Sequence, residues 1–154
     1  MKHLIPEFER MRRRFPAGFE SSLVLPCLRR IQEDRGFVAD SDIAELTAYL
    51  GVPRIQIEEV LSFYTQLRRQ PIGRWHLQMC HNVSCSMRGA EPLLAYVQER
   101  LGIQPGETTP DGRFTLSTAE CLGSCGTAPM MMVNEAYHEN LTREAIDALL
   151  EGLE

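Results

Sequence analysis

Four of the five cysteines stand in two spaced pairs, Cys80 and Cys85 in "CHNVSC" and Cys121 and Cys125 in "AECLGSCGTAPMMMVN". The pattern is C-x4-C, a gap of 35 residues, then C-x3-C. A fold for this chain has to bring those two loops together, because four thiolates from two loops form a soft, four-donor site suited to iron–sulfur or zinc. Redox compartment decides whether disulfides compete with that reading. No signal-peptide core opens the chain, and no apolar run approaches the length of a membrane span. Glu7, Glu9 and Glu20 surround the basic run "RMRRR" at residues 10–14, so it reads as a solvated helix face and not as a transit peptide. In a reducing compartment spaced cysteine pairs favour metal or redox chemistry over structural disulfides. The formal charge of −5 argues against a sequence-independent grip on nucleic acid.

The hydrophobic period divides the chain. Residues 1–72 read as a helical bundle. "SSLVLPCLRRIQEDRG" puts Val24, Cys27, Leu28 and Ile31 on one face, with Pro26 in the first turn and Gly36 as the stop. "ADSDIAELTAYLG" opens with Asp40 and Asp42, the latter at capping-box spacing from Glu45, and closes at Gly51. "PRIQIEEVLSFYTQL" repeats the stripe with Ile57, Val60, Leu61 and Tyr64. Residues 73–154 read β-α-β-β-α. "RWHLQMC" alternates Trp75, Leu77 and Met79 against His76, Gln78 and Cys80. A helix carrying Leu93, Val97 and Leu101 follows and stops at Gly102. Strands come next at "GRFTLST" and "PMMMVN", then a closing helix capped by Thr142. Each cysteine pair therefore follows a strand, at the carboxyl end where open α/β sheets place ligands.

Spacing bears on which metal. Structural zinc sites draw on C-x2-C knuckles, and these loops are wider. A [2Fe–2S] cluster is larger than one ion and takes two cysteines on each iron. Gly123 and Gly126 are expected to let backbone amides approach sulfur without a Cβ in the way, and such amide bonds tune a cluster. Both metals remain open on spacing alone.

The motifs carry a resemblance. Cys80 and Cys85 with their C-x4-C spacing, the block "ECLGSCGTAPMMMVN", "PDGRFTL" at residues 110–116 and "VLSFYTQL" at residues 60–67 resemble the small [2Fe–2S] subunit of the NADH-oxidising module of respiratory complex I. The same subunit type occurs in NAD-linked hydrogenases and formate dehydrogenases. The likeness covers nearly the whole chain. It implies an α+β protein, with an N-terminal helical bundle followed by a thioredoxin-like ferredoxin domain. It implies one [2Fe–2S] cluster on Cys80, Cys85, Cys121 and Cys125, passing one electron at a time. It also implies a place in an NADH:quinone oxidoreductase beside an FMN- and NADH-binding flavoprotein and a larger iron–sulfur subunit, with no catalysis by the chain alone. No Rossmann fingerprint or P-loop argues for a nucleotide site of its own. The short N-terminus implies a bacterial, untargeted protein, cytoplasmic or peripheral on the cytoplasmic face of the inner membrane. Glu59 departs from the pattern, since many relatives carry glycine there.

Other residues have plainer roles. Cys27 reads as a buried core thiol, His81 as a neighbour of the site and not a ligand, and Trp75 and Met130, Met131 and Met132 as core. Arg68 and Arg69 read as a solvated helix end. The Ala128–Pro129 bond stays open between trans, the general default, and cis, which the thioredoxin-like resemblance allows before a strand. Phe8, Met11 and Phe15 are expected as exposed anchors for the flavoprotein. Three rival functions are a zinc-stabilised interaction module, a thiol–disulfide oxidoreductase and a scaffolding subunit that has lost its cluster, which would normally lack some of the four cysteines. The second needs something like C-x2-C, which the chain lacks.

Overall fold

In the computed structural model, which describes residues 1–153, helix follows helix from Met1 to Pro71. The helices are α1 (Ile5–Arg12), α2 (Val24–Arg35), α3 (Asp40–Leu50) and α4 (Arg54–Phe63), with 3-10 turns at Lys2–Leu4 and Glu20–Leu23 leading into the first two. The predicted stripe of α2 is wholly buried and meets Leu4, Phe8, Ile43, Leu46, Ile57 and Leu61 in one core. Gly36 and Gly51 end their helices in the left-handed region, as their positions in the sequence predict. Polar clamps fasten the elements. Arg30 on α2 donates twice to the Glu7 carboxylate of α1, at 2.6 and 3.1 Å. Gln32 accepts the Arg68 N–H at 2.6 Å and donates to the Gln66 carbonyl at 2.9 Å, which holds the segment after α4 against α2.

Four expectations for this unit are corrected. Phe8 is fully buried, with its ring centroid 5.7 Å from that of Tyr49, because the apolar face of α1 is needed to close the core. It is no exposed anchor; Met11 and Phe15 are partly buried against the same core. Tyr64 lies outside its stripe, since α4 ends at Phe63 and the backbone of Tyr64 is extended. Arg68 and Arg69 therefore follow the helix instead of ending it, and Arg69 pairs with Asp40 and Glu58. Asp42 sits at the third position of α3, not its cap. Its carboxylate reaches back to accept the Ala39 N–H at 2.9 Å and pairs with Arg35 at 2.7 Å.

The second compact unit begins at Ile72. Its elements are β1 (Trp75–Cys80), α5 (Val83–Met87), α6 (Ala90–Leu101), β2 (Phe114–Ala119), β3 (Met131–Val133), β4 (Ala136–His138) and α7 (Arg143–Gly152). They form a four-stranded mixed sheet in the order β2-β1-β3-β4. β1 pairs in parallel with β2, from Trp75↔Phe114 to Cys80↔Ala119, and antiparallel with β3. Leu77, Met79, Leu116, Met131 and Val133 from the sheet meet Leu93 and Val97 of α6 and Ile146 and Leu150 of α7. Trp75 packs partly buried against this core, with the Arg74 guanidinium 5.3 Å from its ring centroid. Thr142 caps α7 by accepting the Ala145 N–H at 3.2 Å.

The sequence reading lacked two of these elements. α5 is one short turn of helix, too brief for a hydrophobic stripe to announce it. β4 is reached by a two-residue hairpin at Asn134 and Glu135, with Val133 paired to Ala136 and Asn134 at φ +52°. Asn suits the left-handed position, but the glycine that usually follows it there is replaced by Glu135. The Ala128–Pro129 bond, which the sequence leaves open between cis and trans, is cis. Around that corner the carbonyls of Thr127 and Pro129 accept the N–H groups of Asn140 and Leu141 at 2.7 and 2.9 Å.

Asp42 offers a test of the helical unit. Asp42→Ala removes a nearly buried carboxylate, one cap bond and one ion pair, and is expected to cost about 1–3 kcal/mol. Asp40→Ala, whose pairs with Arg54 and Arg69 are solvent-exposed, should cost less. Chemical unfolding of both variants beside the parent checks the order.

Candidate metal centre

Cys80 is the last residue of β1 and Cys85 lies in α5. Between them the chain turns sharply. The Asn82 side chain accepts the Val83 N–H at 2.9 Å, and the Ser86 hydroxyl donates to the His81 carbonyl at 2.9 Å. The Cys80 N–H reaches the Met130 carbonyl at 3.2 Å, and the His81 N–H reaches the Ala119 carbonyl at 3.2 Å. These bonds tie the first cysteine loop to both neighbouring strands. Both thiols are buried, Cys80 at 3 % and Cys85 at 2 % exposure, in a small cluster with Ala90, Ala128 and Met130 that is separate from the main core.

The second pair stands differently. Cys121 and Cys125 are exposed, on the loop after β2, and Cys125 opens a 3-10 turn at Cys125–Thr127. The Cys121 sulfur accepts the Gly123 N–H at 3.4 Å. Gly123 holds φ +81°, a conformation that a side chain would strain, so glycine is required there for the backbone and not for lack of space. Gly126 needs neither reason. It lies outside the positive-φ set, and a Cβ on it would meet no protein atom within 4 Å.

Electrostatics links three of the sulfurs. Burial pushes the Cys85 thiol up, and the hydrogen bond with Cys80 and the charges of Cys80 and Cys125 push the same way, against a backbone hydrogen bond at Met130. Cys85 therefore feels both Cys80 and Cys125, while the Cys121 sulfur is engaged by its own loop. Among the described residues no three His, Cys, Asp or Glu side chains converge as they would around one ion. All five cysteines are free thiols. The donor set fits a [2Fe–2S] cluster: four thiols in two pairs, one pair shielded from water, and an amide N–H already directed at a sulfur. Cys27 lies elsewhere, fully buried in the helical core, where desolvation pushes its thiol up to about 12. His81 faces outward, with Nε2 3.5 Å from the exposed carboxylate of Glu120.

Residues 8–154 match the family described as thioredoxin-like [2Fe–2S] ferredoxin. The chain belongs to this family. A Rhizobium meliloti relative, one of that organism's NADH-quinone oxidoreductase subunits, is 46% identical over 146 residues, covering 95% of this chain and 86% of the relative. NADH-quinone oxidoreductase subunit 2 of Thermus thermophilus is 43% identical over 91% of this chain and 78% of its own length. An NADH-quinone oxidoreductase subunit of Escherichia coli is 42% identical over 82% of this chain and 76% of its own length. A crystal structure of an NAD+-reducing [NiFe]-hydrogenase in the air-oxidised state superposes with a TM-score of 0.70 at 26% identity. It covers 82% of this chain, which spans only 22% of the hydrogenase chain. The ferredoxin domain of this family is thus present, built on the α+β architecture that the resemblance implied.

Sequence reasoning missed the neighbours of the second cysteine loop, because they come from β4 and the residues just after it. The Tyr137 hydroxyl donates to the Leu122 carbonyl at 2.6 Å, and the Glu139 carboxylate accepts hydrogen bonds from the Ser124 and Thr127 hydroxyls. An "NE" turn before "AYHEN" was the available signal.

Thiol chemistry separates Cys27 from the rest. With its proton held to about pH 12, Cys27 is not a nucleophile at about pH 8. In metal-free, folded, reduced protein, alkylation at about pH 8 followed by peptide mass spectrometry should label Cys121 and Cys125 rapidly. Cys27 should be labelled only after unfolding.

Proposed function

We propose that this chain is the electron-transfer subunit of an NADH:quinone oxidoreductase, holding one [2Fe–2S] cluster through Cys80, Cys85, Cys121 and Cys125. The observation that carries the reading is two free thiol pairs on loops at the ends of the parallel strands β1 and β2, in a chain 42 to 46% identical to subunits of that complex. When bound, the cluster supplies reversible one-electron storage. The chain's own residues do the rest. Ala90, Ala128 and Met130 keep water from Cys80 and Cys85. Gly123 directs an amide dipole at the Cys121 sulfur, which favours negative charge there. The exposed side, carrying Cys121 and Cys125, is the one a redox partner can approach.

The partner on this reading is the FMN- and NADH-binding flavoprotein, with a larger iron–sulfur subunit in the same assembly. No helix among the described residues is long and apolar enough to cross a membrane, which accords with a peripheral place on the cytoplasmic face. Residues 73–154 would form the cluster domain, and residues 1–72 a docking domain. Exposed Ile55 and Phe63 on α4, and Phe19 before α2, replace Phe8 as the apolar residues that domain offers. The likeness to an NAD+-reducing hydrogenase supports a second host, but at 26% identity it weighs less than the 46% match to an NADH-quinone oxidoreductase subunit.

Metal and spectroscopy test the proposal. Protein purified without oxygen should contain iron and acid-labile sulfide, about two of each per chain. Dithionite should give a one-electron paramagnetic signal. NADH alone should not reduce the isolated chain. Serine at any of the four proposed ligands should abolish or distort the visible spectrum, and Cys27→Ser should preserve it. One zinc and no iron, in protein made with ample iron, would sink the proposal.

A further inference from the structure

The second cysteine loop has little order of its own. Both its thiols are exposed, and its regular structure is a single 3-10 turn of three residues. Order reaches it from the segment after the β3–β4 hairpin. Along residues 137–141 five hydrogen bonds run to residues 122–129. The Tyr137 hydroxyl donates to Leu122 O at 2.6 Å. Glu139 Oε1 accepts from Ser124 and from Thr127, the latter at 2.5 Å. The Asn140 N–H meets Thr127 O, and the Leu141 N–H meets Pro129 O. The two backbone contacts come with the fold. The three side-chain contacts depend on residue identity, and they bracket Cys125.

The Glu139 site has a specific proton count. The Ser124 and Thr127 hydroxyls also lie 2.8 Å from each other. An ionised carboxylate is acceptor-only and takes both hydroxyl protons, which leaves the Ser124–Thr127 oxygen contact without a proton of its own. Those hydroxyl bonds accordingly hold the Glu139 carboxyl below its ordinary value. An exposed glutamate with no cationic partner is usually free to turn in water. This one is fixed on the residue immediately before Cys125 and on another two after it.

We infer that Glu139 is a positioning residue for the second thiol pair, and that with Tyr137 it straps the 121–125 loop in the conformation that presents Cys121 and Cys125. The inference rests on the reading of those cysteines as ligands. The loop's order, however, is a property of the polypeptide and is measurable without metal. A strap of this kind prepares the exposed half of the site before any cluster arrives. It also slows the opening through which a cluster would be lost.

The test compares full-length Glu139→Ala, Glu139→Gln and Tyr137→Phe with the parent, each metal-free and metal-loaded. Glu135→Ala, on the same hairpin but away from these loop contacts, is the control. In metal-free protein, amide exchange at residues 122–128 should accelerate roughly tenfold or more in Glu139→Ala, the loss expected for hydrogen bonds to a charged acceptor. Exchange in β1 and α6 should not change. Glu139→Gln keeps an acceptor oxygen and should restore most of the protection. Tyr137→Phe should loosen the Leu122 end. In loaded protein, loss of visible absorbance to a chelator should follow the same order. Parent-like exchange and cluster loss in Glu139→Ala overturn the inference, as does a Gln variant no tighter than the Ala variant. A parent that takes up no cluster defeats the ligand reading instead, and the exchange data still decide the strap.

Discussion

The parallel pairing of β1 with β2 is the constraint on which the site depends. Cys80 lies opposite Ala119 in that ladder, so both cysteine loops leave the sheet at the same end, the carboxyl end of the two strands. A parallel pair needs a crossover of a dozen or more residues, and residues 81–113 supply it through α5 and α6. The 35-residue gap between the thiol pairs is largely this crossover and the strand that follows it. The spacing that marks the sequence is thus a consequence of strand topology. Had β1 and β2 paired antiparallel, the two thiol pairs would lie at opposite ends of the sheet. The hydrophobic residues that make the ladder, Leu77 and Met79 against Leu116, also anchor α6 and α7. Core and site therefore share one set of strands.

On the proposed reading the two thiol pairs would divide the work of a cluster site. Cys80 and Cys85 are packed into their own small apolar group, and the loop they bound is bonded through the backbone to β2 and to Met130 before β3. Their order comes with the sheet. Cys121 and Cys125 are reached by solvent and depend on Gly123, a short 3-10 turn and side chains from β4 and beyond. A buried pair resists exchange and hydrolysis; an exposed pair permits approach by a partner. A carrier of electrons needs both properties in one site.

Much of this was legible in the sequence, and the parts that were not have physical reasons. The stripes of α2 and α6, the stops at Gly36, Gly51 and Gly102, the Thr142 cap and the positions of β1, β2 and β3 followed from periodicity and capping chemistry. The placement of both cysteine pairs after strands followed from the same pattern. β4 escaped because it is three residues long and its turn carries Glu135 where glycine is usual. The contacts of Glu139 and Tyr137 escaped with it, since they exist only once that hairpin folds back. Phe8 was misplaced for a different reason. A phenylalanine on a short, charged helix has the same local signature whether it faces a partner or its own core, and only the packing of α1 on α2 and α3 decides.

Position in α4 limits what Glu59 can do. α4 buries Ile57 and Leu61, and Ile55, Glu59 and Phe63, four residues apart, lie exposed along another face. A side chain there does not touch the helical core, so a change of residue leaves the packing of α4 intact. Glycine at an exposed helix position costs about 1 kcal/mol relative to alanine, and glutamate is among the better helix formers. Glu59 therefore strengthens α4 locally while placing a negative charge between two exposed apolar side chains. A second copy of the chain laid antiparallel on this face would oppose Glu59 with Glu59, which like-charge repulsion disfavours. The residue at position 59 thus sets the local strength of α4 and the charge on its exposed face, and leaves the buried face of the helix as it is.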